Sequence, residues 1–206
     1  QSEPWREALG WCLKAKGDWC HVTNNAKTCV AAQSSDTVPV LLSMDAALRF
    51  VGPEGTSEMP LRSIFRFDGR KHLKIEPHQI LTEIVVPLPN PSAGRRIAGS
   101  YHKLRTRGSI DFPQLGLAVW AEVEGTGDTT RLHQISMVVG AINPQPKPIK
   151  QLDAFLGQLL SDTAIAEMAE RVVKQTRPQR TIPDDEKWRR SMAGVFAEQA
   201  LTALRQ

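Results

Sequence analysis

The apolar residues of this chain change their spacing part-way along it, and that change limits the folds open to it. Residues 98–105, 115–123 and 132–142 alternate or run apolar, as strands of an antiparallel sheet require. Gly125-Thr126-Gly127-Asp128 separates the second run from the third in the manner of a hairpin turn. After Ile142 the period lengthens: Leu152, Phe155, Leu156 and Leu159 stand at i, i+3, i+4 and i+7, and Ile165, Met168 and Val172 follow at similar spacing. These positions predict amphipathic helices. A last helix is expected to start at Pro183, with Asp184, Asp185 and Glu186 at the positive end of its dipole and Trp188, Met192, Val195 and Phe196 turned inward. Sheet first and helices second is an α+β order.

Upstream, residues 1–30 are polar, carry Trp5, Trp11 and Trp19, and read as a loop held by something other than a large core. Apolar runs at 38–44 and 46–51 lead to a Gly52-Pro53-Glu54-Gly55 turn, which closes a hairpin or a helix–strand connection. A strand is expected over 79–87, and Pro87, Pro89 and Pro91 with Gly94 form the linker to the second half. The composition, 41% hydrophobic and 23% charged in 206 residues, excludes disordered and collagen-like chains. The longest apolar runs, 84–88 and 135–142, fall far short of the ~18 residues that span a bilayer. No signal peptide precedes the polar start, so a soluble chain with no membrane partner is expected, with something preceding Gln1. The formal net charge of +4 gives a pI of about 9.1. The basic residues are scattered and only 6% of residues are aromatic, so no nucleic-acid partner is expected. A Walker loop, a Gly-x-Gly-x-x-Gly turn, a Ser/His/Asp signature and a His-Glu-x-x-His helix are all missing, so no autonomous hydrolase site and no catalytic residue is assigned.

Three segments carry candidate chemistry. Cys12, Cys20 and Cys29 all lie in the first 29 residues, and no other cysteine follows. An odd number argues against a closed disulfide framework and for a reduced, cytoplasmic setting. The spacing lacks the close ligand pairs of zinc ribbons; a Cys3His zinc site with His21, an iron–sulfur cluster and unrelated buried thiols all stay open. Lys14, Lys16 and Lys27 flank the thiols and favour anionic ligands. Next, Ala31-Ala32-Gln33-Ser34-Ser35-Asp36-Thr37-Val38-Pro39 suits either a helix start at Asp36 or the close approach of a phosphorylated ligand to Ser35 and Asp36. Finally, Tyr101, Lys103, Arg105 and Arg107 share one face of a strand, a face expected to be solvated or paired with acids.

Taken in order, "SSDTVPVLLSMDAALRFVGPEG", "RSIFRFDGRKHLKIEPHQILTEIVVPLP", "YHKLRTRGSIDFPQLGLAVWAEV" and "KWRRSMAGVFAEQALTAL" resemble the FAD-binding medium subunit of the xanthine dehydrogenase and molybdenum hydroxylase family. "CLKAKGDWCHVTNNAKTC" is similar to the iron–sulfur loop inserted in the β subunit of 4-hydroxybenzoyl-CoA reductase. The resemblance implies residues 1–90 as part of an FAD-binding domain, with the cluster loop at 12–29, and residues 96–206 as a domain like the CO dehydrogenase flavoprotein C-terminal domain. That second domain should be a three-stranded antiparallel sheet with a helical bundle. It further implies FAD near Ser35, Asp36, Ile80, Leu81 and Lys103. Cys12, Cys20 and Cys29 are three implied ligands of a four-iron, four-sulfur cluster, whose fourth ligand, like the glycine-rich pyrophosphate-binding subdomain, is expected upstream of Gln1. On this basis the chain is an electron-transfer subunit. Its implied partners are a large subunit with the molybdenum cofactor, a small subunit with two-iron clusters, and a ferredoxin-like donor. Two other readings remain: the flavoprotein subunit of a molybdenum hydroxylase that oxidises its substrate, and a zinc-stabilised binding module.

Overall fold

The computed structural model describes residues 3–92, 94–180 and 185–206. The chain opens with helix α1 (Glu3–Ala8) and a cysteine-bearing segment that folds around its own small apolar cluster of Leu13, Cys20, Cys29 and Val30. The expected loop is therefore right for most of residues 9–30, while α1 is an addition. Helix α2 (Thr37–Ser43) follows, with Pro39 in the first turn, where its missing N–H breaks no helical bond. The side chain of Asp36 does not cap this helix as expected; instead the Ser35 hydroxyl accepts from the Val38 N–H at 3.2 Å.

Strands β1 (Ala47–Gly52) and β2 (Gly55–Pro60) form the hairpin over Pro53 and Glu54, and β3 (Ile80–Val85) pairs with the other side of β1. Alternation along central β1 sends Leu48 and Phe50 into a core with Leu42, Ala46, Leu61, Ile64 and Phe65. Arg49 points the other way and bridges Glu58 on β2 and Glu83 on β3, its two cross-strand neighbours.

The second sheet is antiparallel, in the order β4 (Arg95–Leu104), β5 (Leu115–Glu124), β6 (Arg131–Gly140), β7 (Lys147–Pro148). Three long strands were expected; the two-residue β7 is extra. One face, carrying Leu117, Val119, Ala121, Val123, Met137 and Val139, packs on helices α3 (Asp162–Gln175) and α4 (Glu186–Ala203). The opposite face receives the first half of the chain. Val138 joins the smaller core, and Pro39 of α2 sits on Gly140, where an added Cβ would lie 2.6 Å from the proline Cγ.

Two helical expectations need correction. Residues 152–159 form no α-helix, only a 3-10 turn over Asp153–Phe155. Gln151 and Gly157 take left-handed φ values of 65° and 75°, and the Gly157 and Leu160 N–H groups donate to Leu132 and Thr130 at the start of β6. The backbone is thus bonded to the sheet; Leu152 and Phe155 are buried, whereas Leu156 and Leu159 are exposed. The expected start of the last helix at Pro183 and Asp184 lies outside the described residues. Within α4, Trp188 and Val195 face outward and Met192 is half-buried. The inward stripe is Arg189, Ala193, Phe196, Ala197, Ala200 and Leu201. Small alanines let α4 approach closely, and buried Arg189 is anchored by Asp185 Oδ1 at 3.0 Å and by the Gln114 and Gln179 carbonyls.

Candidate functional site

Asp36, at the start of α2, meets the outer face of β4. Its Oδ1 accepts from the Tyr101 hydroxyl at 3.0 Å and its Oδ2 from Lys103 Nζ at 2.7 Å. Tyr101 and Lys103 are two apart on a strand and so share a face, as expected. The strand ends at Leu104, however, so Arg105 and Arg107 belong to the following loop and not to that face. Tyr101 leans over Gly116 on β5: a Cβ there would stand 2.4 Å from the phenol oxygen. Burial, and then the Asp36 charge, pushes the phenol well above its ordinary range, so Tyr101 stays a hydrogen-bond donor at neutral pH. A carboxylate, a phenol and an ammonium are thereby held together on residues 65 and 67 positions apart.

Nearby, the Ala31–Ser34 backbone lines a cleft of about 230 Å³ together with Lys14, Gly69, His72 and Pro144. Gln33 Oε1 is buried there without a partner among the described residues. Small side chains and the Lys14 cation suit a polar, anionic ligand, whereas the unspent amide oxygen calls for a donor group on it. Ile80 and Leu81 stand elsewhere, on β3 at the edge of the small sheet, and are 68% and 44% exposed. Both are therefore largely in solvent, and as consecutive strand residues they point to opposite faces of the sheet.

In the cysteine segment, all three cysteines are free thiols. Cys20 Sγ accepts the Thr23 N–H at 3.4 Å, and Cys29 Sγ the Ala31 N–H at 3.5 Å. Backbone N–H donors of this kind orient a sulfur. Asp68 fixes this segment from outside, accepting from Cys29 N–H and from Arg70; hydrogen bonds from Arg70 hold its carboxyl below the usual range. Cys12 lies outside the apolar cluster that holds the other two, and His21 is engaged elsewhere, its Nε2 2.9 Å from the Gly10 carbonyl and its ring edge-on to Trp5. Among the described residues no three His, Cys, Asp or Glu side chains converge as a single-ion cage. A lone zinc draws its ligands to about 2.3 Å from one point, so the Cys3His zinc site gains no support. A cluster spreads its thiolates over separate irons; here Cys20 and Cys29 share one apolar cluster and Cys12 stands apart from it.

Residues 99–204 match the CO dehydrogenase flavoprotein C-terminal domain, more than half of the chain. The chain belongs to the molybdenum hydroxylase flavoprotein family. Residues 25–89 match the FAD binding domain in molybdopterin dehydrogenase. Over 139 residues this flavoprotein chain is 27% identical to the aldehyde oxidoreductase FAD-binding subunit PaoB of Escherichia coli (strain K12), covering 66% of this chain and 40% of that relative. In fold it is similar to a chain of carbon monoxide dehydrogenase from Hydrogenophaga pseudoflava (TM-score 0.69, 22% identity, 82% of this chain and 56% of that one). It is also similar to a chain of quinoline 2-oxidoreductase from Pseudomonas putida 86 (TM-score 0.70, 14% identity, 85% and 57%). The flavoprotein chain therefore spans about half the length of these relatives. Among its described residues no helix is long and apolar enough to cross a membrane.

Of the residues expected at the flavin, Ser35, Asp36 and Lys103 come together, while Ile80 and Leu81 stand on a different sheet. The sequence places Tyr101 on one strand face with Lys103 but does not assign it to the flavin site; its place two residues before Lys103 is the available signal. Gly116 and Gln33 carried no such signal, since their roles depend on what lies opposite them.

Proposed function

We propose that this chain is the electron-transfer subunit of a molybdenum-dependent 4-hydroxybenzoyl-CoA reductase. Electrons pass from a ferredoxin-like donor through a four-iron cluster and FAD toward two-iron clusters and the molybdenum cofactor of partner subunits. The observation that carries this reading is the cysteine segment: a flavoprotein of this family has an ordered loop in which Cys20 and Cys29 are buried together, each sulfur accepting a backbone N–H. Cys12, Cys20 and Cys29 supply three cluster ligands, with Asp68 holding the loop at Cys29. On the flavin side the chain contributes Ser35, Asp36 and Lys103 as polar groups and Ile80 and Leu81 as apolar cover, within residues 1–90 and the first strand of 96–206. Bound FAD supplies the exchange between one- and two-electron chemistry. Lys103 places a cation that favours negative charge in its neighbourhood, and Tyr101 keeps Asp36 oriented beside it.

A second reading, the flavoprotein subunit of a molybdenum hydroxylase that oxidises its substrate, draws on the likeness to the aldehyde oxidoreductase subunit. Iron and acid-labile sulfide analysis of the complex, with its visible spectrum, separates the two. Four irons beyond those of the two-iron partner, lost together in Cys20→Ser, are the expected result. Flavin bands without the extra iron favour the second reading, and neither chromophore overturns both.

A further inference from the structure

A cleft of about 320 Å³ outside these sites lies at the far end of the same sheet face, where the proline linker passes over β5 and the end of α2. Its floor is Trp120 and Glu122, two apart on β5 and so on one face, with Gln134 directly across from Glu122 on β6. Asp45 and Pro89 close the sides.

Glu122 is unusual among the acids of this chain, because only 6% of it is exposed. Its Oε1 has Arg95 Nη1 at 3.6 Å, an ion pair too long for a hydrogen bond. Asp45 adds a second negative charge at the rim, already paired with Arg62. An indole beside a carboxylate whose ion pair is too long for a hydrogen bond selects a particular ligand. A guanidinium is planar, donates two parallel N–H bonds to a carboxylate, stacks on aromatic rings and sheds water more readily than an ammonium.

We propose that this cleft binds a guanidinium group carried by an arginine side chain, using Glu122 as the acceptor and Trp120 as the apolar wall. Neither the flavin nor the cluster is involved, so the site stands or falls independently of the function proposed above. The probe is N-acetyl-arginine amide titrated into the chain, followed by calorimetry and ligand-observed NMR, with N-acetyl-lysine amide and the neutral isostere N-acetyl-citrulline amide in parallel arms. Methylguanidinium tests the head group alone. The expected result is saturable binding of the capped arginine, weaker binding of methylguanidinium, severalfold weaker binding of the lysine, and none of the citrulline. Glu122→Gln, which keeps the shape, should weaken the arginine at least about tenfold, the scale of a lost charge-assisted hydrogen bond. Trp120→Leu should weaken it severalfold. Equal binding of citrulline, no saturation by the capped arginine, or an unchanged affinity in a folded Glu122→Gln protein overturns the proposal.

Discussion

The two sheets of this chain are finished in different ways. The large sheet closes its own core: Leu115, Leu117, Val123 and Val139 on its inner face and Met168, Ala197 and Leu201 on α3 and α4 are fully or almost fully buried. The small sheet is lined on one side only and leaves Ile80, Leu81 and Ile84 of its edge strand in solvent. An edge strand with exposed apolar residues is normally blunted or covered, because it invites association. The contrast teaches that the second half of the chain closes a core of its own, whereas the first half leaves apolar edge residues uncovered. The Asp36–Tyr101–Lys103 group lies where the two halves meet, resting on the rigid sheet and reaching toward the open one.

The sharpest way to break this comparison is to cut one apolar residue from each sheet. Leu117→Ala removes a fully buried side chain and should cost about 2–5 kcal/mol in urea or guanidinium unfolding. Ile80→Ser, on the exposed edge, should change stability by no more than about 0.5 kcal/mol while weakening flavin retention. Similar losses from the two variants would show that the small sheet's edge is structural after all.

A smaller effect is expected where the halves touch. Gly116→Ala puts a methyl 2.4 Å from the Tyr101 oxygen, so the ring must leave Asp36, at a cost of about 1–3 kcal/mol. Tyr101→Phe removes only the hydroxyl and should cost about 0.5–1.5 kcal/mol. Double-mutant unfolding checks the link: if the two losses simply add, Gly116 does not act through Tyr101.

The smallest expected effect sharpens the picture of the large sheet. His102, on its inner face and stacked on Phe196, has its imidazole pushed below the ordinary value of 6.5 by burial. The unfolded chain then binds more protons than the folded one as pH falls through 6.5, so this contribution to stability is present above that value and lost below it. His102→Phe, which keeps the ring contact, should lessen the fall in melting temperature between pH 7 and pH 5. An equal fall in both proteins would assign the acid sensitivity to other groups; Asp68 acts only at lower pH, because its depressed carboxyl loses its contribution below the ordinary value of 3.8.

Much of the large sheet is legible in the sequence because its strands are long, alternate strictly and are joined by a glycine turn; their pairing is local. The helical stretch at 152–159 is misread because apolar spacing records which side chains are buried and not which carbonyl each N–H finds. There the partners are Leu132 and Thr130, on another element. The inward face of α4 is misread only in part: Phe196 is inward as expected, but Trp188 and Val195 are not, and alanines and an arginine, types that do not announce burial, take much of the face. For the site, residue type in order pointed to Asp36 and Lys103, but not to the bond between them.

By itself, then, the sequence determined the antiparallel order of the large sheet, the family, and a cysteine-bearing segment ahead of both sheets. Only the tertiary structure decided that Asp36 meets Tyr101 and Lys103, that Ile80 and Leu81 face solvent, and that Cys20 and Cys29 share one apolar cluster while Cys12 lies outside it. The reason is physical. Periodicity and turn chemistry act between neighbours along the chain, whereas a carboxylate and an ammonium 67 residues apart meet only once two sheets have packed face to core and brought their loops to one edge.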